Sequence, residues 1–244
     1  MTSYYVNNET GSDAAAGTSP ATAFATISFS VSTSNSGDKI YIAATGTPYR
    51  LSNDNSGASI SLTKKYLTFE GLGVSQTNDN DLDSDSLPTL TVCEVTDTLS
   101  PTKWVFDTEA DIWYWIQESG YEPLGVFDPS FTTNQKNSGK ASSLANIGPG
   151  IMVFVEDLST GEYRIYYETF ANSPDTNPGL LGVEVPIQAD FFNISNTADQ
   201  AQNITFKNIR FDKWSEHAIR TKSQPNWKFI NCVFTNGIGP AIRV

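Results

Sequence analysis

The sequence has little of several residue types, and each shortage excludes a class of protein. Its two cysteines, Cys93 and Cys232, are too few for a disulfide framework or a zinc-ligand set. Only 15 basic residues stand against 27 acidic ones, so the net charge is −12. Because phosphate-backbone binding needs an excess of cations, we expect no nucleic-acid partner. The longest apolar runs are far too short to span a bilayer, so we expect no membrane insertion.

Other absences concern catalysis and export. The chain has one histidine, His217, and lacks a Gly-x-Ser-x-Gly elbow, a phosphate loop and a His-Glu-x-x-His zinc motif. The N-terminus has neither a basic start nor an apolar signal core, which fits a mature domain given a start Met or a protein exported without such a peptide. The acidic, Asn/Thr/Ser-rich composition favours a secreted protein or one on a virion or cell surface.

What the sequence does have is an internal repeat of 23 residues. Residues 203–211 match residues 226–234, with both Asn and both Phe retained, and Ala218-Ile219-Arg220 returns as Ala241-Ile242-Arg243. A fixed period of this length, with strand-like residues in each copy, indicates a solenoid whose coils bury their apolar faces against each other.

The repeat also predicts where its side chains lie. We expect the Phe residues of successive coils to stack inside, and Asn208 and Asn231 to stack at a bend, because Asn tolerates left-handed backbone angles. Upstream, short strands are predicted at Lys39–Ala43, Tyr66–Phe69 and Leu90–Val95. Short strands with regular Gly and Asn punctuation indicate an all-β chain, and the repeat favours a solenoid over a hairpin-built sandwich.

A series of short segments stands in order over the N-terminal fifty residues: Tyr4-Tyr5-Val6, Gly11-Ser12-Asp13, Gly17-Thr18, Ala23-Phe24-Ala25-Thr26-Ile27, residues 37–44 and Tyr49-Arg50. This series resembles the opening of right-handed parallel β-helix proteins of the pectate-lyase-like superfamily, where this stretch forms a cap and the first coil. The resemblance implies an all-β, right-handed single-stranded parallel β-helix with an N-terminal cap.

The repeat fails between about 96 and 200, where aromatic residues accumulate. We therefore predict three parts: residues 1–95 as cap and first coils, 96–200 as an inserted aromatic-rich β-lobe or long flanking loops, and 201–244 as further coils. Within the lobe, Ile151–Glu156 and Tyr163–Glu168 predict an antiparallel hairpin. Two apolar segments, Val183–Ile187 and Phe191–Ile194, are predicted to bring the chain back to the solenoid. Val244 directly follows a repeat strand, so we expect a homo-oligomer contact or a continuation of the chain to cover the open coil end.

A second resemblance is local. The segment from Thr221 to Asn226, followed by Arg243 at about one coil's distance, is similar to the catalytic segment of chondroitinase B and alginate lyase-type polysaccharide lyases. The resemblance implies that Lys222 acts as the base and that Arg243 assists at the leaving oxygen. In those enzymes two acidic residues upstream of the Lys bind calcium, whereas Ser215 and His217 stand at those positions here.

The repeat places Arg220 beside Arg243 on neighbouring coils, about 4.8 Å apart. Two stacked guanidinium groups need a nearby anion, which could be Glu216 or an acidic group on a glycan. One interpretation is a solvated surface ladder of ion pairs; the other is a binding site for an acidic polysaccharide. Glu216 could also hold His217 for acid–base catalysis.

Further candidate sites have equally ordinary alternatives. The side chains of Asp79, Asp81, Asp83 and Asp85 alternate as oxygen ligands do in calcium loops, or form a solvated acidic loop. Trp113, Trp115 and Tyr121 could stack on sugar rings, or form the core of the lobe. Trp214 completes the predicted substrate-binding set. Ca²⁺ is the one cofactor that the sequence suggests.

Two functional hypotheses follow. The first is an extracellular or particle-surface β-helix protein that binds acidic polysaccharide and, if it is an enzyme, cleaves it as a polysaccharide lyase or glycoside hydrolase. The second is a structural or adhesive subunit of the phage tailspike or surface-filament type, whose open solenoid end is an assembly interface.

Overall fold

The computed structural model describes residues 1–73, 86–95, 103–117, 121–129, 139–140, 142–158, 160–169, 177–194, 201–222 and 224–244. The described chain is mostly β-structure and divides into two compact units. Unit 1 comprises residues 1–92 and 190–244, and unit 2 comprises residues 93–189. The sequence predicts bounds of about 96 and 200 for the inserted lobe.

Unit 1 contains thirteen described strands and two helices. The strands are β1 (Ser3–Val6), β2 (Lys39–Ala43), β3 (Tyr49–Arg50), β4 (Ile60–Leu62), β5 (Thr68–Leu72), β6 (Thr89–Thr91), β14 (Asp190–Ile194), β15 (Thr205–Lys207), β16 (Arg210–Asp212), β17 (His217–Arg220), β18 (Lys228–Ile230), β19 (Val233–Thr235) and β20 (Ile242–Arg243). The helices are α1 (Ile27–Thr33) and α2 (Leu51–Asp54), and a 3₁₀ turn spans Pro20–Thr22.

The strands of unit 1 form three parallel sheets. Sheet A has the order β1-β2-β5-β15-β18, sheet B the order β3-β6-β16-β19, and sheet C the order β4-β14-β17-β20. From β2 onward, successive strands of unit 1 belong to sheets A, B and C in that order, and the order repeats through β20. The 23-residue register is confirmed in all three sheets, since Phe206 pairs with Phe229, Phe211 with Phe234, and Arg220 with Arg243.

The predicted Phe stacking is confirmed as well. The rings of Phe206 and Phe229 are nearly coplanar, with centroids 5.6 Å apart, and Phe69 continues the column on the other side of Phe206 at 4.9 Å. Phe211 and Phe234 form a second column at 5.0 Å. Phe206 and Phe211 are fully buried, whereas Phe229 and Phe234 in the last described coil are only half-buried.

Left-handed backbone angles mark the corners between sheets. Asn208 and Asn231, which precede sheet B, have φ values of 57° and 50°, as the sequence predicts. At the corner that precedes sheet A, Asn203 and Asn226 have φ values of 57° and 61°. The same corner position in β5's coil is Tyr66, with φ of 60°. This is why the strand predicted at Tyr66–Phe69 begins only at Thr68.

Replacing Tyr66 with Asn should stabilise unit 1 by about 1 kcal/mol, because a bulky side chain is strained in the left-handed region and Asn is not. Tyr66 is 57% exposed, so few contacts are lost. A higher midpoint in chemical denaturation is the expected result. The reciprocal change Asn203→Tyr should lower the midpoint, and a midpoint that falls in Tyr66→Asn would show that the Tyr66 ring contributes packing.

Unit 2 contains seven described strands. They are β7 (Cys93–Val95), β8 (Trp104–Asp107), β9 (Ile112–Ile116), β10 (Gly139–Lys140), β11 (Ile151–Asp157), β12 (Glu162–Tyr167) and β13 (Glu184–Pro186), with 3₁₀ turns at Leu144–Asn146 and Pro178–Leu181. One sheet has the order β10-β11-β12-β9-β8, and β13 pairs with β7. The antiparallel pairing of β11 with β12 confirms the predicted hairpin.

Two predicted strand assignments differ from the structure. The strand predicted at Leu90–Val95 is two strands, β6 and β7, because the chain bends at Val92 where it leaves unit 1. The segment Val183–Ile187, predicted to lead back into the solenoid, contains β13, which pairs antiparallel with β7 inside unit 2. The return to the parallel sheets begins at Asp190.

Candidate functional site

The candidate site lies on sheet C, where β14, β17 and β20 are neighbours. Parallel pairing sets Asp190 beside His217 and Arg220 beside Arg243. Because Ile219 is fully buried, strand alternation directs Arg220 to the opposite face of the sheet. The register thus brings together four of the predicted site residues, Glu216, His217, Arg220 and Arg243, and adds Asp190.

Asp190 is the centre of a buried polar cluster. Its side chain is 1% exposed, and its Oδ1 accepts a hydrogen bond from Nδ1 of His217 at 3.0 Å. Nε of Arg220 lies 3.4 Å from Oδ2, a charge contact without hydrogen-bond alignment. Burial raises the pKa of Asp190, and the Arg220 guanidinium opposes that rise. The cluster therefore fixes both the imidazole and the guanidinium.

Arg220 has a second carboxylate neighbour. Its Nη2 lies 3.4 Å from Oε2 of Glu216, four residues earlier in the chain. Glu216 is one of the anions that the sequence suggests for Arg220. Both of these side chains are partly exposed, so the pair contributes little to stability. Arg220 is therefore held between a buried and an exposed carboxylate.

Three cations line one pocket at the end of sheet C. Arg220, Lys222, Arg243 and Val244 surround a pocket of about 220 Å³. Lys222 lies two residues after the end of β17 and has a left-handed backbone conformation, with φ of 47°. Lys222 and Arg243 are both exposed. The two residues that the lyase resemblance implies for catalysis thus face a common pocket.

Trp214 has a structural place in this region. It is 6% exposed, and its Nε1 donates to the carbonyl oxygen of Gly239 at 2.7 Å. Gly237 packs so closely on the indole that a Cβ atom there would collide with it. Trp214 also contacts the ring of Phe234 edge to face, so it has no free ring face for a sugar.

The aromatic candidates of unit 2 are divided by burial. Trp115 is 1% exposed and lies in a core cluster with Trp104, Met152 and Tyr167, so the interpretation of these aromatics as the lobe's core is confirmed for Trp115. It cannot stack on a ligand. Trp113 and Tyr121 are half-buried, and Trp113 packs against the same cluster. Their predicted role in substrate binding stays a prediction.

The acidic run Asp79, Asp81, Asp83 and Asp85 lies outside the described residues, so a calcium loop there stays a prediction. Among the residues that the structure does describe, no group of three His, Cys, Asp or Glu side chains could hold a metal ion. The two positions that the lyase resemblance assigns to calcium do not fit that ion. Ser215 is fully buried, and His217 faces a carboxylate that Arg220 already neutralises.

Nothing in the sequence singles out Asp190 among the carboxylates of the chain. Its register partner His217 lies 27 residues later, rather than the 23 residues of the repeat. Because this offset is longer than the period, the repeat does not predict that Asp190 pairs with His217, and only the sheet register shows it. Cys93 and Cys232 form no disulfide with each other, and Cys93 is buried whereas Cys232 is half-buried.

No protein-family model matches the sequence, and no curated protein matches it either. Among solved structures, the chain is similar to XylC, determined in complex with xylose. The TM-score is 0.57 and the sequence identity 13%, over 90% of this chain and 42% of XylC. The likeness is one of fold. The chain spans less than half the length of XylC. No helix in the described ranges has the length and apolar character needed to cross a membrane.

Proposed function

We propose that unit 1 is a right-handed parallel β-helix and that the protein binds acidic polysaccharide outside the cell or on the surface of a virus particle. The repeated order of sheets A, B and C supports the β-helix. The chain is similar in fold to XylC, with a TM-score of 0.57. That structure contains a sugar, which supports a carbohydrate ligand of some kind here.

The observation that carries the proposal is the cationic pocket on sheet C. The chain has a net charge of −12, yet Arg220, Lys222 and Arg243 meet around one pocket. A concentration of positive charge on an acidic protein favours an anionic ligand. Arginine side chains bind carboxylates through two parallel hydrogen bonds, which suits the uronate groups of an acidic glycan.

The direction of the arginine ladder fits an extended glycan. Arg220 and Arg243 repeat across adjacent strands, about 4.8 Å apart. An extended glycan that lies across these strands would pass both guanidinium groups. The ligand would lie across the strands, parallel to the stacking direction of the coils.

Cleavage is the further part of the proposal. In a lyase reaction Lys222 would take the proton next to the uronate carboxyl, and the electron pair would form a carbon–carbon double bond as the glycosidic C–O bond breaks. Arg243 would stabilise the leaving oxygen, which then receives a proton from water. Both side chains line the same pocket.

The first test is the affinity for alginate, an acidic glycan, measured by calorimetry at low and high salt. Arg243→Ala should weaken binding about tenfold, because one charge-assisted contact is lost, and added salt should weaken it further. The matched control is Lys213→Asn, which removes one cation at a corner where the next coil has Asn236 with a similar backbone. Equal losses of affinity for alginate in Arg243→Ala and Lys213→Asn would overturn the proposal of an acidic ligand. Binding of neutral xylan without binding of alginate would overturn it too.

The same samples test cleavage. A lyase produces unsaturated chain ends that absorb in the near ultraviolet, so absorbance should rise with time for the natural chain and not for Lys222→Ala. If protein that binds alginate and chondroitin produces no rise in this absorbance, it binds these glycans but does not cleave them as a lyase.

The alternative function is assembly, and the last described coil supports it. Phe229 and Phe234 are half-buried and Ile230 is 42% exposed, whereas Phe206 and Phe211 one coil earlier are fully buried. A second copy stacked on this coil would cover the apolar column. Sedimentation of the protein at increasing concentration separates the two functions, since the assembly function requires an oligomer that Phe229→Asp disrupts.

A further inference from the structure

The outer face of sheet A carries two rows of residues in register. Burial alternates along its strands, with Ile40 and Phe69 fully buried and their neighbours on both sides only partly so. One row consists of Ser3, Lys39, Thr68, Thr205 and Lys228, and the other of Tyr5, Tyr41, Glu70, Lys207 and Ile230. With strands about 4.8 Å apart, each row is about 19 Å long.

A pair of tyrosines lies at one end of this face. The rings of Tyr5 and Tyr41 stack with centroids 5.2 Å apart and an angle of 25° between them. Both side chains are half-buried, so part of each ring meets solvent. Aromatic rings held rigidly on a sheet present an apolar surface at little entropic cost, and such a surface suits the apolar face of a pyranose ring.

Charge gives the face a second property. It carries Lys39, Lys207 and Lys228 but only one carboxylate, Glu70, which lies 2.7 Å from Nζ of Lys207. The remaining lysines, Lys39 and Lys228, stand in the same row, and Lys228 is exposed. An acidic chain that places surplus lysines beside stacked tyrosines favours a ligand with both apolar ring faces and negative charges.

We propose that the outer face of sheet A is a second binding face for an acidic polysaccharide strand, distinct from the pocket on sheet C. Tyr5 and Tyr41 pack against pyranose rings, and Lys39 and Lys228 pair with carboxylates further along the strand. The proposal rests on the proposed function for the class of ligand. Two faces on one chain raise the avidity for a long polymer without any new contact to a short one.

The test is calorimetric titration with a purified alginate oligosaccharide, in which the natural chain should bind about two oligosaccharides per chain. The double variant Tyr5→Thr with Tyr41→Thr should bind about one, since the rings are lost. Thr is the replacement of choice because Thr68 and Thr205 already occupy this face. Circular dichroism and thermal unfolding verify that the double variant is folded.

Lys39→Thr provides an independent measurement that leaves the rings in place. It should weaken the affinity of the sheet A face about threefold to tenfold, whereas Lys213→Asn, with the same change in net charge, should leave it unchanged. Equal affinities in these two variants would overturn the assigned role of the lysine row.

The outcomes separate this proposal from the proposed function. If the natural chain has one binding event that only Arg243→Ala weakens, the sheet A face is overturned and the pocket stands. If only the tyrosine variant removes binding, the sheet A face stands and the pocket does not. If no alginate oligosaccharide binds to the natural chain, both are overturned.

Discussion

Phe206→Ala should destabilise unit 1 by about 3–5 kcal/mol, the range found for deleting a fully buried aromatic ring. The ring has no exposed surface and stacks on Phe69 and Phe229, so its removal leaves a cavity between two coils that cannot collapse. Chemical denaturation, followed by a probe in unit 1, measures the change. The expected result is a lower midpoint with the slope little changed.

The matched control is Phe229→Ala, which removes the same ring from the next coil. Phe229 is only half-buried, so its loss should cost about 1–2 kcal/mol, since less apolar surface returns to water. Phe206→Leu should cost less than Phe206→Ala, because most of the volume is retained. Equal losses for the two alanine variants would contradict the difference in burial between the two coils.

Asp190→Ala should lower the free energy of unfolding of unit 1 by about 2–3 kcal/mol. Removing one partner of a buried ion pair leaves the others without compensation, and His217 and Arg220 both face this carboxylate. The expected cost is below that of a fully buried pair because the Arg220 side chain is 26% exposed, and water and Glu216 compensate in part. Thermal or chemical unfolding gives the difference directly.

Two variants bracket this result. Asp190→Asn keeps the size of the side chain and one oxygen acceptor for His217, so it should lose less stability than Asp190→Ala. Glu216→Ala removes the exposed partner of Arg220 and should cost less than about 0.5 kcal/mol. A loss in Asp190→Ala no larger than in Glu216→Ala would show that the buried cluster does not hold Arg220 in place.

The residues of the candidate site differ in how far the sequence could predict them. The repeat predicts that Arg220 and Arg243 are neighbours on adjacent strands. The contact of Glu216 with Arg220 is suggested by their separation of four residues along the chain. Asp190 could not be predicted, because the offset to His217 departs from the period. Trp115 and Trp214 were plausible sugar contacts by residue type, and only packing shows that their rings are enclosed.

The sequence by itself determined the stacking register of the last two coils of unit 1. Parallel coils that bury identical side chains against each other must place residues one period apart side by side, so a repeat of 23 residues predicts Phe on Phe, left-handed Asn on left-handed Asn, and Arg on Arg. These outcomes are local and periodic, and a period can be found without coordinates.

Only the tertiary structure decided which side chains remain available for a ligand. Burial depends on what packs against a residue from distant parts of the chain, as with Gly237 against Trp214, and Asp190 against His217. Exposure on the outer face of sheet A depends likewise on five strands drawn from five separate segments of the sequence. The repeat fixes neighbours along the stack, but non-local packing decides which of them meet solvent.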